Sequence, residues 1–261
     1  MEVKRYFGAC EYIGTSFFGW QSQGTENATV AGLIEFGIKH ILAKPIKQGN
    51  IEFVELKGSS RTDTGVHAIY NTFHIDFKRN PQFGMIPPEN LLIGLNRSFE
   101  KNNAGIKILE MREVPLDFHA RFSAVSREYI YKLFIGPESV FLLEFYWILE
   151  ELNINKLEEA LGIFENKISL NDICKVKQEK YEDDQVKIDA WMDIKENEIL
   201  LHFRSTKFFW HQIRYMVGAL VDFSCGKISL KQLNSFFSGT AGKKPSRAPA
   251  AGLYLAKVEY V

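Results

Sequence analysis

Cysteine is scarce: Cys10, Cys174 and Cys225 are the only three in 261 residues. Odd in number and far apart, they exclude a disulfide framework and read as free thiols in a reducing compartment. No pair of them has metal-ligand spacing and the six histidines are scattered, so no metal site is expected. No apolar run approaches the roughly 20 residues that a membrane helix needs. The start, MEVKRYFGACEY, reads as a strand. It is neither the basic-then-apolar pattern of a signal peptide nor the Arg- and Ser-rich pattern of a transit peptide. The expected location is intracellular, cytoplasm or mitochondrion, with no visible targeting segment.

Acid is also scarce in one long stretch. From Ile199 to Val258 the only carboxylate is Asp222, against Arg204, Lys207, Arg214, Lys227, Lys231, Lys243, Lys244, Arg247 and Lys257. Just before it, Glu144 to Glu198 is rich in acids, including Glu182, Asp183 and Asp184. The whole chain carries a formal net charge of +0, which by itself argues against a nucleic-acid binder. The distribution leaves two readings open: two solvated faces of opposite sign, or a basic wall for a polyanion with an acidic back.

What is present is enough for a large core, in one domain or two closely joined ones. Strands are expected at Lys4 to Tyr12, Ile51 to Leu56, Asn71 to Phe77 and Ile106 to Val114. A helix opens at Thr29, runs along Val30, Leu33, Ile34, Ile38, Ile41 and Leu42, and ends at Pro45. Another starts at Pro87 and Pro88 and carries Leu91, Leu95 and Phe99. The second half repeats the rhythm: a strand at Glu128 to Ile135, a helix at Asn155 to Asn166, and a hairpin of Val186 to Ile194 with Ile199 to Ser205. Helices follow at Phe209 to Phe223 and Ser229 to Ser238, then a closing strand at Gly252 to Val261. Strands and helices in two similar halves imply an α+β fold with mostly antiparallel sheets. The boundary falls near Pro115 to Asp117, giving halves 1–116 and 117–261.

Three clusters could carry chemistry. SSRTDTGVHA, Ser59 to Ala68, sets Arg61, Asp63 and His67 beside Gly65. An ordinary strand-to-turn junction uses the same residue types, and the spacing is not that of a hydrolase triad. In DFHARFSAVSREYIYKL, Asp117 to Leu133, a strand would place Arg127, Tyr129 and Tyr131 on one face. That suits a stacked base and a held phosphate, or a half-buried strand with Tyr hydroxyls at the solvent. In FRSTKFFWHQIRYMVGAL, Phe203 to Leu220, a helix would align His211, Arg214 and Gly218. Arg214 in an apolar segment either finds a carboxylate or extends to the helix rim.

Together and in this order, the clusters resemble the TruA family of tRNA pseudouridine synthases. The family loop G-R-T-D-A-G-V-H-A is matched from Arg61 to Ala68, with Ser60 for the first glycine and Thr64 for the alanine. F-H-A-R-F-S-A then R-x-Y-x-Y is matched by Phe118 to Ala124, Arg127, Tyr129 and Tyr131. F-x-x-H-x-x-R-x-x-V-G is matched by Phe208, His211, Arg214, Val217 and Gly218, and A-x-G-L-Y-L by Ala250 and Gly252 to Leu255. EYIGTSFFGWQSQ resembles Y-x-G-x-x-F-x-G-W-Q. The SSRTDTGVHA form is similar to the animal pseudouridine-synthase-like branch, which suggests mitochondria. A family segment G-x-H-D-F-x-x-F is replaced by FENKISLNDICKV, where only Asp172 is suggestive.

The resemblance implies two α+β halves whose sheets merge around a central RNA-binding cleft, with helices on the outer faces. It implies isomerisation of uridine in the tRNA anticodon arm, at positions 38 to 40, without a cofactor. Asp63 is the implied nucleophile at C1′, or the base at C2′, with Tyr129 and Arg214 as its catalytic partners. Arg61, His67, Arg127 and His211 are the implied substrate-binding residues, with His67 orienting the loop. A homodimer is implied, with tRNA as partner, other structured RNA as a further one, and no membrane. The competing readings are a catalytically silent RNA-binding or RNA-folding protein with the same cleft, and a nucleoside enzyme acting on small substrates.

Overall fold

The computed structural model describes residues 1–21, 28–84, 86–174 and 185–261. The acidic run Glu182 to Asp184 and the end of the N-terminal motif, Ser22 and Gln23, lie outside the described residues. The chain divides into two compact units, Met1–Val125 with Leu255–Val261, and Ser126–Tyr254. Both are mixed α and β with antiparallel strand pairs, the α+β class that the sequence pattern implies. Among the described residues no helix is long and apolar enough to cross a membrane.

The first unit is built on β1 (Glu2–Tyr12), β2 (Ile51–Gly58), β3 (His67–Arg79) and β4 (Ile106–Val114). β3 pairs antiparallel with β1 and β2, and β1 pairs with β4. β3 is buried on both faces from Asn71 through Phe77. Two helices, α1 (Val30–Ile41) and α3 (Pro88–Lys101), pack together where Gly37 faces Leu95 and Phe99, and they bury Ile34 and Ile38 on one and Leu91, Leu95 and Phe99 on the other. Each such fully buried side chain contributes roughly 1.5–3 kcal/mol. Thr29 caps α1 by accepting from the Gly32 amide. The helix does not run to Pro45. It stops at Ile41, and Pro45 sits in a short α2 (Ala43–Lys47), inside a first turn where no amide donor is needed.

The second unit has β5 (Ala124–Ile135), which starts in the first unit, and β6 (Trp147–Leu149), α4 (Ile154–Leu161), β7 (Ile168–Ser169), β8 (Gln185–Val186), β9 (Asp189–Lys195) and β10 (Glu198–Ser205). α5 (Gln212–Ser224), α6 (Leu230–Ser238) and β11 (Leu253–Tyr260) follow; β11 ends in the first unit. β10 pairs antiparallel with both β5 and β9, and Glu196 turns the β9–β10 hairpin at φ 54°. α5 is buried over most of its surface. Ser229 and Gln232 form the capping box of α6, and Gly239 closes it at φ 72°. α5 starts three residues later than its apolar pattern suggests, because His211 adopts φ 63° and serves as its N-cap.

One face of the first unit's sheet carries a polar cluster beside Phe7 and Ala9. Arg5 donates from Nε and Nη2 to the two Asp76 oxygens, each at 2.7 Å, and from Nη1 to the carbonyls of Leu116 and Phe118, each at 2.6 Å. Beside them, His74 is fully buried, and its Nδ1 accepts from the Ala120 amide at 3.1 Å. The neutral ring therefore carries its proton on Nε2. Glu55, His74 and Asp76 bring ligand-type atoms within 4.8 Å of one another, the grouping a metal would use. Both carboxylates already carry a side-chain cation, Arg5 on Asp76 and Lys57 on Glu55 at 2.6 Å. The set is a charge-compensated network that fastens residues 116–120 to the sheet.

Burial, reinforced by the Arg5 charge and by His119, holds the His74 imidazole down to a pKa of about 4. A depressed histidine stabilises the fold above its unfolded pKa, near 6.5. That stability is lost as pH falls from about 6.5 toward 4, at up to about 1.4 kcal/mol per pH unit. Urea denaturation of the wild type is expected to show this slope. His74→Asn keeps an acceptor for the Ala120 amide and removes the titration, so its slope is expected to be shallower. Equal slopes would show that His74 does not supply the pH dependence.

Candidate active site

Asp63 sits on the connection between β2 and β3, half-buried. Its carbonyl accepts from the Val66 amide at 3.1 Å, and Gly65 takes φ 81° at the third position of that turn. The turn is fastened from behind by Asn71, which is fully buried. Asn71 Nδ2 donates to the Ser60 carbonyl and to Tyr12 Oη, each at 3.2 Å, and its Oδ1 accepts from Ser59 Oγ and the Thr72 amide, each at 2.9 Å. Tyr12 Oη and Thr62 Oγ1 are 2.8 Å apart. The carboxylate of Asp63 is thus carried on a backbone whose neighbours are satisfied on the protein side.

The N-terminal motif explains itself in this geometry. The Trp20 amide donates to the Thr62 carbonyl at 3.0 Å. A Cβ on Gly14 would meet the Val66 carbonyl oxygen at 2.0 Å, and one on Gly19 would meet the Thr62 oxygen at 2.9 Å. The chain from Gly14 to Trp20 is therefore laid backbone to backbone along the Asp63 turn, and only glycine permits that approach. His67 is buried and its Nδ1 accepts from the Gly14 amide at 3.1 Å, tying the same two segments. Arg61 is exposed. Tyr12, Asn71 and the two glycines were not singled out as site residues from the sequence, although Y-x-G-x-x-F-x-G-W-Q was the signal that held three of the four.

In the second unit, Arg127, Tyr129 and Tyr131 lie on one face of β5, and that face is buried. Arg127 Nη1 donates to the Thr206 carbonyl at 2.7 Å. The Tyr129 ring meets Phe208 edge-on at 5.2 Å. Tyr131 Oη donates to the Pro249 carbonyl at 2.8 Å, and burial pushes its pKa up while the Arg214 charge opposes that rise. Arg214 Nε donates to the Ala248 carbonyl at 2.8 Å, and its own carbonyl accepts from the Ala248 amide at 3.0 Å. A Cβ on Gly218, one turn on, would fall 1.8 Å from the Ser246 oxygen, so this glycine admits the 246–248 segment against α5. His211 stands before α5 rather than on it, 3.2 Å from Arg247 Nη1.

The basic stretch is partly neutralised at home. Arg204 pairs with Asp189, Lys227 with Asp222 and Lys257 with Glu259. Asp172 is buried and accepts from the Ala241 amide at 2.8 Å, a role in local structure.

Two substitutions at the braced turn have opposite expected signs. Gly14→Ala forces backbone apart and is expected to destabilise by about 3 kcal/mol. Ser60 Oγ is buried without a partner among the described residues, and Ser60→Ala is expected to stabilise by about 1 kcal/mol. Denaturant midpoints measure both; a neutral Gly14→Ala would show that the brace is loose.

The family model described as tRNA pseudouridine synthase matches residues 9–123 and 166–261. The matched parts contain the Asp63 turn, its glycine brace and α5, while Arg127 and Tyr129 fall between them. Three relatives bear the name tRNA pseudouridine synthase A. That of Thermus thermophilus is 32% identical, over 99% of this chain and 97% of its own. That of Dictyoglomus thermophilum is 31% identical, over 95% and 96%. That of Bartonella tribocorum is 28% identical, over 99% and 100%. A family model covering most of the chain, joined to identity of this extent over nearly its whole length, shows that the chain belongs to the tRNA pseudouridine synthases, a family of isomerases.

Proposed function

We propose that this protein isomerises uridine to pseudouridine in the anticodon arm of tRNA, with Asp63 as the reacting carboxylate. The observation that carries this is the Asp63 turn. A half-buried carboxylate stands on a backbone braced by close glycine packing and by Asn71, so its position is set before substrate arrives. Preorganisation of this kind is what a nucleophile or base at a sugar carbon needs. In the reaction the N1–C1′ bond breaks, uracil turns, and C5 bonds to C1′. The C5 proton leaves and N1 gains one, so atoms balance without a cofactor. Asp63 acts by attack at C1′ or by proton removal at C2′.

We assign Arg214 as the catalytic partner of Asp63, on the match to the family's F-x-x-H-x-x-R pattern. Tyr129 is assigned to the target base as a stacking ring; an ordinary Tyr titrates near pH 10 and is a poor base at neutrality. Arg61, exposed beside the turn, is assigned to a phosphate or to the space left by the extruded nucleotide. His67 serves by holding Gly14 against the turn, and Arg127 by holding the 206–208 segment next to Tyr129. His211 is assigned to the RNA together with its neighbour Arg247. A homodimer gripping one tRNA, and a reducing compartment for the three free cysteines, complete the proposal.

Asp63→Asn, incubated with an unmodified tRNA transcript, is expected to lower product formation by more than about a thousandfold while binding survives. Normal turnover by this variant would overturn the assignment. Wild-type binding without isomerisation would place the protein among RNA-holding proteins instead. Tyr129→Phe is expected to keep activity within about tenfold of wild type, and Tyr129→Ala to lose far more. Equal loss in both would make the hydroxyl, not the ring, the working part.

A further inference from the structure

The motif FHARFSA contains a turn that none of the roles above employs. Every backbone amide from Phe118 to Ser123 has an acceptor. Phe118 donates to Pro115 at 3.1 Å, His119 to Ser123 Oγ at 2.9 Å, and Ala120 to His74 Nδ1 at 3.1 Å. Arg121 and Phe122 donate to His119 Nδ1 at 3.1 and 3.3 Å, and Ser123 to the His119 carbonyl at 2.8 Å. The carbonyls are held as well: Arg5 takes those of Leu116 and Phe118, and Tyr260 Oη that of Ala120 at 2.7 Å. Phe118 is packed between the rings of Phe7 and Tyr260, at 5.7 and 5.0 Å.

At the tip of this rigid turn the side chain of Phe122 is 77% exposed. Its ring lies against His119, centroids 4.4 Å apart, and the Arg121 guanidinium lies 5.9 Å from it. A turn that offers a flat ring beside a cation fits a nucleobase and its phosphate, because a preorganised platform loses little entropy when a base stacks on it. Burial, then the charges of Lys57 and Arg5, push the His119 pKa down.

We propose that the His119–Phe122 turn is an RNA-contact site, with Phe122 stacking on an unpaired base and Arg121 holding the adjoining phosphate. The identity of the RNA as tRNA rests on the function proposed above; the stacking contact itself does not require that the protein isomerise it.

The test measures binding and turnover of an unmodified tRNA transcript by the full-length protein. Phe122→Ala and Phe122→Leu are each expected to weaken binding about tenfold, with the loss appearing in KM. Phe122→Trp is expected to restore binding, since a planar ring rather than apolar bulk is required. Arg121→Gln is expected to reduce the slope of log K against log salt by about 1. Thermal midpoints are expected to stay at the wild-type value, because the ring is exposed. Wild-type affinity in Phe122→Ala, or equal affinity in the Leu and Trp variants, would overturn the proposal. So would a change in sedimentation behaviour in Phe122→Ala, which would assign the ring to contact with a second copy of the chain. A wild type that binds tRNA but makes no pseudouridine would defeat the proposed activity and leave the Phe122 result readable.

Discussion

The site depends on a backbone approach. Gly14 and Gly19 let one segment lie against the Asp63 turn at distances that leave no room for a side chain. Side-chain hydrogen bonds of Asn71, Tyr12 and His67 then fasten the same segments together. This arrangement separates two demands on an acidic residue. The peptide groups around Asp63 need partners because they are buried. In the function proposed above, its carboxylate must also meet a substrate. Main-chain bonds and neighbouring side chains satisfy the first demand.

The same logic shapes the polar cluster of the first unit. An Arg, an Asp and a His under a loop are expensive to bury unless each is paired. Arg5 meets that condition with four hydrogen bonds to one carboxylate and two carbonyls, and His74 stays neutral and accepts an amide at Nδ1, while its Nε2 has no partner among the described residues. The result is a rigid seat for residues 116–123. Hydrophobic packing alone would have left that turn's peptide groups unsatisfied, and a turn of loose geometry could not hold Phe122 in one place.

What the sequence made legible follows from period and punctuation. The α3 stripe, the Ser229 cap and the β9–β10 hairpin stand out because local chemistry decides them. The break before Pro45 and the late start of α5 did not. A proline inside a first turn is compatible with a helix, so its position does not say which helix it belongs to. His211 at φ 63° is set by tertiary surroundings that no local propensity encodes. In the candidate site, the reactive residue types were visible because they are chemically unusual neighbours. The brace was hidden, because a glycine needed for close approach looks like any other until the second backbone is placed beside it.

The two departures of this chain from the family loop show how far that brace reaches. Ser60 stands where the family has glycine, and Thr64 where it has alanine. Ser60 is absent from the positions with positive φ, so a side chain there meets no backbone strain; its consequence is a buried hydroxyl without a partner among the described residues. Thr64 is exposed and can carry extra atoms into solvent. Gly65, by contrast, takes φ 81°, and Gly14 and Gly19 face backbone atoms at 2.0 and 2.9 Å. Those three remain glycine. In this chain, side chains stand where the backbone needs no left-handed turn, and glycine stands where a Cβ would displace the Asp63 turn, as expected if the position of that carboxylate is what the surrounding residues maintain.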